Sequence, residues 1–284
     1  MLMALREKTG AATQPPAKRS LRERLAKGRV GLSADLSRVL ALPRRAEPEL
    51  IAIQREMTRW LKRPDGTQTL RTVQAWALFE AAITGGLVGV LSVGRGKTLV
   101  GMLMPMVMPN CKRAVILIPP SLRDQFKSDW ESYGKHWKLP NLAGGRWFIP
   151  GLPVVHVVAY SEIQNWRNPI YLEQLKPDLI IADEAHELRY IKSSVRTKRV
   201  AKYLADNPET RFCCWSGTLT ANSIRDYSHL FAWALSEKSP VPLQVSIGEE
   251  WAKAIDPQAD EFLYDPGELR RLCNPGESIR SGYR

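Results

Sequence analysis

Leu91-Ser92-Val93-Gly94-Arg95-Gly96-Lys97-Thr98 closes a short apolar run, and further along the chain reads Leu179-Ile180-Ile181-Ala182-Asp183-Glu184-Ala185-His186. A glycine-rich turn ending in Lys-Thr can wrap its backbone N–H groups around a phosphate. It can also set Lys97 on the outer phosphates and the Thr98 hydroxyl on Mg²⁺. Gly94 and Gly96 are the positions that let backbone approach phosphate closely, although Leu91 stands where the strict GxxxxGK[ST] pattern has its first glycine. The second stretch ends in two carboxylates. Asp183 is placed to hold Mg²⁺ through water, and Glu184 to orient and activate the attacking water. A chance match and a solvated acidic pair are the bland alternatives. They lose force because the loop follows a strand-like run and precedes a helical one. Together the two stretches imply a nucleoside triphosphate with Mg²⁺.

The run Leu87–Leu91 predicts a short buried strand, and a helix opens near Lys97 until Pro105 ends or kinks it. Ala114–Ile118 predicts the next strand. Ser121 with Asp124 resembles a capping box, and Leu122, Phe126, Trp130 and Tyr133 fall on one helical face before Gly134 stops the helix. Val154–Ala159, Leu179–Ala182 and Phe212–Trp215 are further apolar strands. Such strands alternating with helices predict an α/β fold, a parallel sheet flanked by helices on both faces. Ligands of these sheets sit at the carboxyl ends of the strands. Gly94–Thr98, Asp183-Glu184 and Ser216-Gly217-Thr218 each follow a strand, so all three are expected at one edge.

The net charge of +12 is concentrated at the start, where residues 1–63 hold fifteen Lys and Arg against six Asp and Glu. A basic arm of this kind suits a polyanion, nucleic acid before all, the alternative being a tail that only aids solubility. Residues 1–20 read as a disordered or extended arm, Leu21–Leu42 as a short basic helix, and Glu49–Lys62 as a second helix ended by the turn Pro64-Asp65-Gly66. Residues 1–66 therefore form a basic, partly helical N-terminal extension to an ATPase lobe over 67–238. Past Ser236 prolines interrupt short amphipathic pieces and no further complete βαβ unit is read, which leaves 239–284 as a C-terminal segment.

Cys111, Cys213, Cys214 and Cys273 form no CxxC pair, and Cys213-Cys214 lies in an apolar run that reads as buried strand. The histidines show no metal-ligand spacing, and no apolar run has the length of a membrane span. Reduced thiols and the absence of a signal-peptide core give the expectation of a soluble, cytoplasmic protein of a bacterial or phage-infected cell.

Three polar residues add to the site. Gln74, just upstream of the loop, has an amide that can read an adenine edge. His186 suits a coupling residue, with Ser216-Gly217-Thr218 as its partner through hydroxyl hydrogen bonds; the plain alternatives are a surface histidine and a simple turn. Among the nine tryptophans, Trp60, Trp76, Trp130 and Trp215 fit apolar faces and are expected in the core. Trp137 and Trp166 lie in polar contexts, where packing or exposure is weighed against base stacking.

The ordered set resembles the first RecA-like lobe of superfamily 2 helicases, and within them the Swi/Snf-type DNA translocases. Leu70-Arg71-Thr72-Val73-Gln74 is similar to the family's adenine-reading segment, and the loop at 91–98 to its motif I. Residues 114–126 and 157–163 look like the elements that touch the nucleic-acid backbone. Asp183–Ser193 is similar to the DEAH-containing motif II, and Ser216–Asn222 to motif III with Leu219 where proline is frequent. The resemblance implies ATP binding by Arg71, Gln74, Gly94, Arg95, Gly96, Lys97 and Thr98, catalysis by Lys97, Asp183 and Glu184, and Mg²⁺ at Thr98 and Asp183. It implies coupling through His186, Ser216, Gly217 and Thr218, and nucleic-acid contact at Pro119, Ser121, Gln125, Tyr160 and Ser161. Double-stranded DNA is the expected partner. A second RecA-like lobe, in cis or in trans, is expected to supply the arginine finger, without which hydrolysis is weak. Two rivals are a phage DNA-packaging motor ATPase and a non-catalytic binding module on the same fold. The motif after Ile118 disfavours the first, and the intact Lys97, Thr98, Asp183 and Glu184 the second.

Overall fold

The apolar runs of the sequence meet in one sheet. The computed structural model describes residues 28–43, 49–92, 94–217, 223–256 and 264–277, so the arm expected over residues 1–20 and Thr218 lie outside it. In chain order come β1 (Gly28–Arg29), α1 (Ala34–Leu40), α2 (Leu50–Leu61), α3 (Thr72–Thr84), β2 (Leu87–Val90) and α4 (Lys97–Val107). These are followed by β3 (Arg113–Ile118), α5 (Arg123–Tyr133), β4 (Asn141–Leu142), β5 (Val154–Ala159), α6 (Tyr160–Ile163) and α7 (Tyr171–Leu175). Last come β6 (Leu179–Asp183), α8 (Val195–Asp206), β7 (Arg211–Ser216), α9 (Ser228–Leu235), α10 (Val245–Ile255) and β8 (Tyr264–Asp265). Six strands form a parallel sheet in the order β2-β7-β6-β3-β5-β4.

Alternation along the strands divides the core in two. Val115 and Leu117, Ile180 and Ala182, Phe212 and Cys214 enter one layer, with Val200 of α8, Leu230 of α9 and Trp251 of α10. Ala114, Ile116 and Ile118, Leu179 and Ile181, Cys213 and Trp215 enter the other, with Leu61 of α2, Leu78 of α3, Leu103 of α4 and Phe126 of α5. The period of two is the pleat of the strand. Burial of both faces is why these strands read as unbroken apolar runs. Each large side chain so buried contributes roughly 1.5–3 kcal/mol. Cys213 and Cys214 sit on opposite faces, and burial pushes the Cys213 thiol up to about 12. Pro105 lies inside the last turn of α4, which ends two residues later at Val107.

Several expectations are corrected. Of the helix expected over 21–42, residues 21–27 lie outside the described residues, Gly28–Arg29 are strand, and helix runs over Ala34–Leu40, where Ser33 caps the start by accepting from the Leu36 N–H at 3.1 Å. Ser121 caps no helix. Pro120–Leu122 form a 3₁₀ turn, with proline supplying the fixed φ of a first turn, and α5 starts at Arg123. Trp60 and Trp76 are exposed. Trp76 points away from the arc of α3 that buries Gln74, Ala75, Leu78 and Ala81, and its indole N–H donates to Glu80 at 3.3 Å.

The described ends of the chain are joined to each other. The Asp35 carboxylate accepts the N–H groups of Leu243 and Gln244, both at 3.2 Å, just ahead of α10. Arg38 donates to the carbonyls of Glu237, Ser239 and Val241 at 2.9, 2.6 and 2.8 Å, and β1 pairs in parallel with β8. Burial alone raises the Asp35 pKa, but the two amides and Arg38 outweigh it and hold the carboxyl below its ordinary value.

Candidate active site

Four chain segments converge at the carboxyl edge of the sheet: the loop after β2, the ends of β6 and β7, and the start of α3. The loop Gly94-Arg95-Gly96 leads into α4 with Gly94 at φ 78° and Gly96 at φ 76°, left-handed conformations that favour glycine. A Cβ on Gly96 stands 2.2 Å from the Gln74 amide nitrogen. The closeness reflects a bond that holds the loop: Gln74 Nε2 donates to the Gly96 carbonyl at 3.2 Å. Its Oε1 accepts the Arg71 N–H at 2.8 Å, and the Arg71 guanidinium donates to the Gly94 carbonyl. Gln74 and Arg71 therefore brace the glycine turn from behind, a role the sequence did not suggest. Arg95 is exposed, and Thr98 sits half-buried in the first turn of α4.

Lys97 and Glu184 form an ion pair across this edge. Glu184 adopts a left-handed backbone (φ 54°) just after β6. The conformation costs of order 1–3 kcal/mol and persists only where the surroundings impose it. Asp183 is buried at 6% exposure and fixed on one oxygen: Oδ1 accepts the Trp215 indole N–H at 2.8 Å and the Glu184 N–H at 3.0 Å. Tyr160 donates its hydroxyl to the Asp183 carbonyl at 2.7 Å. Burial raises the Asp183 pKa. The Trp215 bond works against it, Glu184 adds to it, and Lys97 opposes it. His186 Nδ1 lies in hydrogen-bond contact with Ser216 Oγ at 3.2 Å and 3.3 Å from Glu184 Oε2. Ser216 Oγ donates to Glu184 Oε2 at 3.4 Å. His186, Glu184 and Ser216 thus form one cluster that ties β6 to β7, and Gly217 follows, exposed.

Thr98 and Asp183 suit Mg²⁺ by donor type: a hydroxyl and a hard carboxylate whose Oδ2 is not taken by the two bonds to Oδ1. Mg²⁺ keeps most of its waters and needs few protein ligands. No group of three or more His, Cys, Asp or Glu fit for a metal occurs among the described residues.

Beside this edge, Ser121, Gln125 and Ser161 are exposed and Pro119 is half-buried. The Arg123–Glu162 ion pair ties the start of α5 to α6. Tyr160 is a correction. Its side chain is fully buried, with Arg196 over its ring at 5.7 Å, so it is not part of an exposed contact surface.

Neither a protein-family model nor a curated protein matches the chain. Among solved structures, the Sulfolobus solfataricus SWI2/SNF2 ATPase core in complex with double-stranded DNA superposes with a TM-score of 0.51 at 17% identity. The shared feature is the fold, a parallel sheet flanked by helices like that of the Sulfolobus core's RecA-like lobe. The match covers 77% of this chain and 44% of the Sulfolobus chain, so the chain spans less than half the length of that relative. The UvsW helicase from bacteriophage T4 is similar at 15% identity and a TM-score of 0.45, over 67% of each chain.

Within this lobe, sequence reasoning missed two residues of the site. Trp215 was assigned to the core, where it does sit at 0% exposure, yet its N–H faces Asp183. Tyr160, expected at the nucleic-acid backbone, instead supports the Asp183 backbone. A signal for Trp215 existed. A buried indole N–H needs an acceptor, and the register pairs Asp183 with Trp215 on adjacent strands.

Proposed function

We propose that this chain carries the ATP-binding lobe of a nucleic-acid-dependent ATPase of helicase or DNA-translocase type, completed by a second RecA-like lobe in cis or in trans. One observation carries the reading: Lys97, Glu184, Asp183, Ser216 and His186, from three strand ends, meet in one bonded cluster behind a glycine turn. Lys97 leaves Glu184 for the outer phosphates when ATP enters, which frees the Glu184 carboxylate to accept a proton from an attacking water. The N–H groups of Gly94–Thr98 cradle the phosphates, and Arg71 and Gln74 hold that cradle in shape while bordering the adenine. Thr98 and Asp183 hold Mg²⁺, which neutralises phosphate charge when bound.

His186 and Ser216 report the state of Glu184 to the end of β7, and Gly217 with Thr218 extends that link. Pro119, Ser121, Gln125 and Ser161 meet the nucleic-acid backbone. Duplex DNA is the favoured partner because the Sulfolobus core was solved with double-stranded DNA.

Isothermal titration with Mg·ATP, followed by turnover with and without duplex DNA, tests the reading. Wild type is expected to bind Mg·ATP, to turn it over weakly as this lobe alone, and to lose binding about tenfold or more on Lys97→Ala. Binding that survives Lys97→Ala unchanged overturns it.

A further inference from the structure

Along α2 runs a groove of about 650 Å³ that no motif accounts for. Arg55, Arg59, Lys62, Arg63 and Lys138 line it, and no carboxylate does. Arg55, Arg59 and Lys62 recur at spacings of four and three, so they stack along one face of the helix, while Met57 and Leu61 are buried on another. Arg63 follows on the turn after α2. Lys138 arrives from the segment after α5, held by a bond from its ammonium to the Trp60 carbonyl at 2.7 Å. The nearby acids compensate only in part. Glu56 pairs with Arg59 and Asp65 with Arg63, all four well exposed, and such pairs contribute little and yield readily. Arg55 and Lys62 have no ion pair among the described residues.

The groove is separate from the nucleotide site. Its lining reaches Thr69 and stops, Leu70 behind it is 1% exposed, and Arg71 turns the other way onto the Gly94 carbonyl. None of Gln74 or Gly94–Thr98 lines it.

We infer that this groove is a second nucleic-acid contact, holding the phosphate backbone of a duplex on α2. The inference rests on the nucleic-acid part of the proposed function but not on its ATP chemistry. The seven steps from Arg55 to Lys62, the residue that caps α2, rise about 10 Å, a length of duplex that carries about six phosphates. A stripe of cations on that scale matches a regular polyanion. The +12 net charge of the chain favours the same kind of partner, a polyanion. Exposed Ile51 at the head of the stripe and Pro64 at its foot offer apolar contact to sugars.

Fluorescence anisotropy of a labelled duplex, titrated at several salt concentrations, tests this with wild type, Arg55→Ala/Arg59→Ala, and Lys138→Ala on a different element. The double variant is expected to lose about tenfold or more in affinity and to flatten the salt slope by about two, and Lys138→Ala by about one. Mg·ATP binding and thermal melting serve as controls and stay at wild-type values. Wild-type affinity and slope in both variants overturn the groove alone. A wild type that binds no duplex overturns the groove and the nucleic-acid reading together. A loss of Mg·ATP binding in wild type, with the groove effect intact, strikes only the ATPase reading.

Discussion

The indole N–H of Trp215 donates to Asp183 Oδ1 at 2.8 Å, joining the ends of two adjacent parallel strands inside the core. The bond lets a carboxylate stay in a place where burial opposes its charge. It also leaves Oδ2 outside both bonds, since the Glu184 N–H binds the same Oδ1. A core tryptophan is thereby part of the candidate site.

Trp215→Phe keeps an aromatic ring in the layer but leaves a buried acceptor without its donor. The lost bond costs about 1–3 kcal/mol, and the smaller ring adds a cavity cost beside Gly101. Urea denaturation is expected to show this loss, and to show a smaller one for Trp215→Phe in an Asp183→Asn background. Equal costs in the two backgrounds would mean that the pair is not coupled.

Asp183→Asn separates stability from function. Burial raises the Asp183 pKa above the ordinary 3.8, so the fold favours the protonated acid and is weakened by the ionised one. Stability linked to this group therefore increases as pH falls through the raised value and is smallest at neutral pH. The neutral amide is expected to raise the melting temperature at pH 7, with the gain shrinking in acid as wild-type Asp183 takes up its proton. Mg²⁺-dependent ATP binding is expected to be lost. Melting curves across a pH series check the first outcome, since a gain independent of pH contradicts the assigned cause.

The strands were legible because burial on both faces writes them as continuous apolar runs, as in Ala114–Ile118 and Leu179–Ala182. The glycine turn was legible because few residue types tolerate φ near +76°. The bracing of that turn by Gln74 was not, since an amide bonded to a backbone carbonyl leaves no pattern of spacing. Trp60 and Trp76 were misplaced for another reason. Their helices bury arcs centred on other residues, and a large apolar side chain at the rim resembles one at the centre. The union of Asp35 with residues 243–244 lies beyond any local pattern, joining positions at opposite ends of the chain.

Gly96→Ala challenges the brace directly. The added methyl meets the Gln74 amide nitrogen, and the left-handed backbone strains any L side chain. The variant is expected to lose about 1–2 kcal/mol of stability and most of its Mg·ATP affinity. Adding Gln74→Ala removes the steric clash but not the backbone strain. The double variant is therefore expected to recover part of the stability and little of the affinity. Full recovery of both would show that Gln74 does no more than fill space.

His186→Ala tests whether the His186–Ser216 contact transmits anything. If binding of ATP and of duplex DNA are linked through Glu184, each ligand strengthens the other by the same factor, typically about 5–150-fold. Measuring ATP affinity with and without saturating duplex gives that factor, and measuring DNA affinity with and without ATP must return the same one. His186→Ala and Ser216→Ala are each expected to pull the factor towards one while the separate affinities change by less than about threefold, because neither residue is placed on the phosphates. The double variant is expected to fall further than either single change, since each single change leaves one contact to Glu184 in place. A factor that stays at its wild-type value in all three variants would locate the coupling elsewhere, with the His186–Glu184–Ser216 cluster serving only to hold the Glu184 turn in its strained conformation.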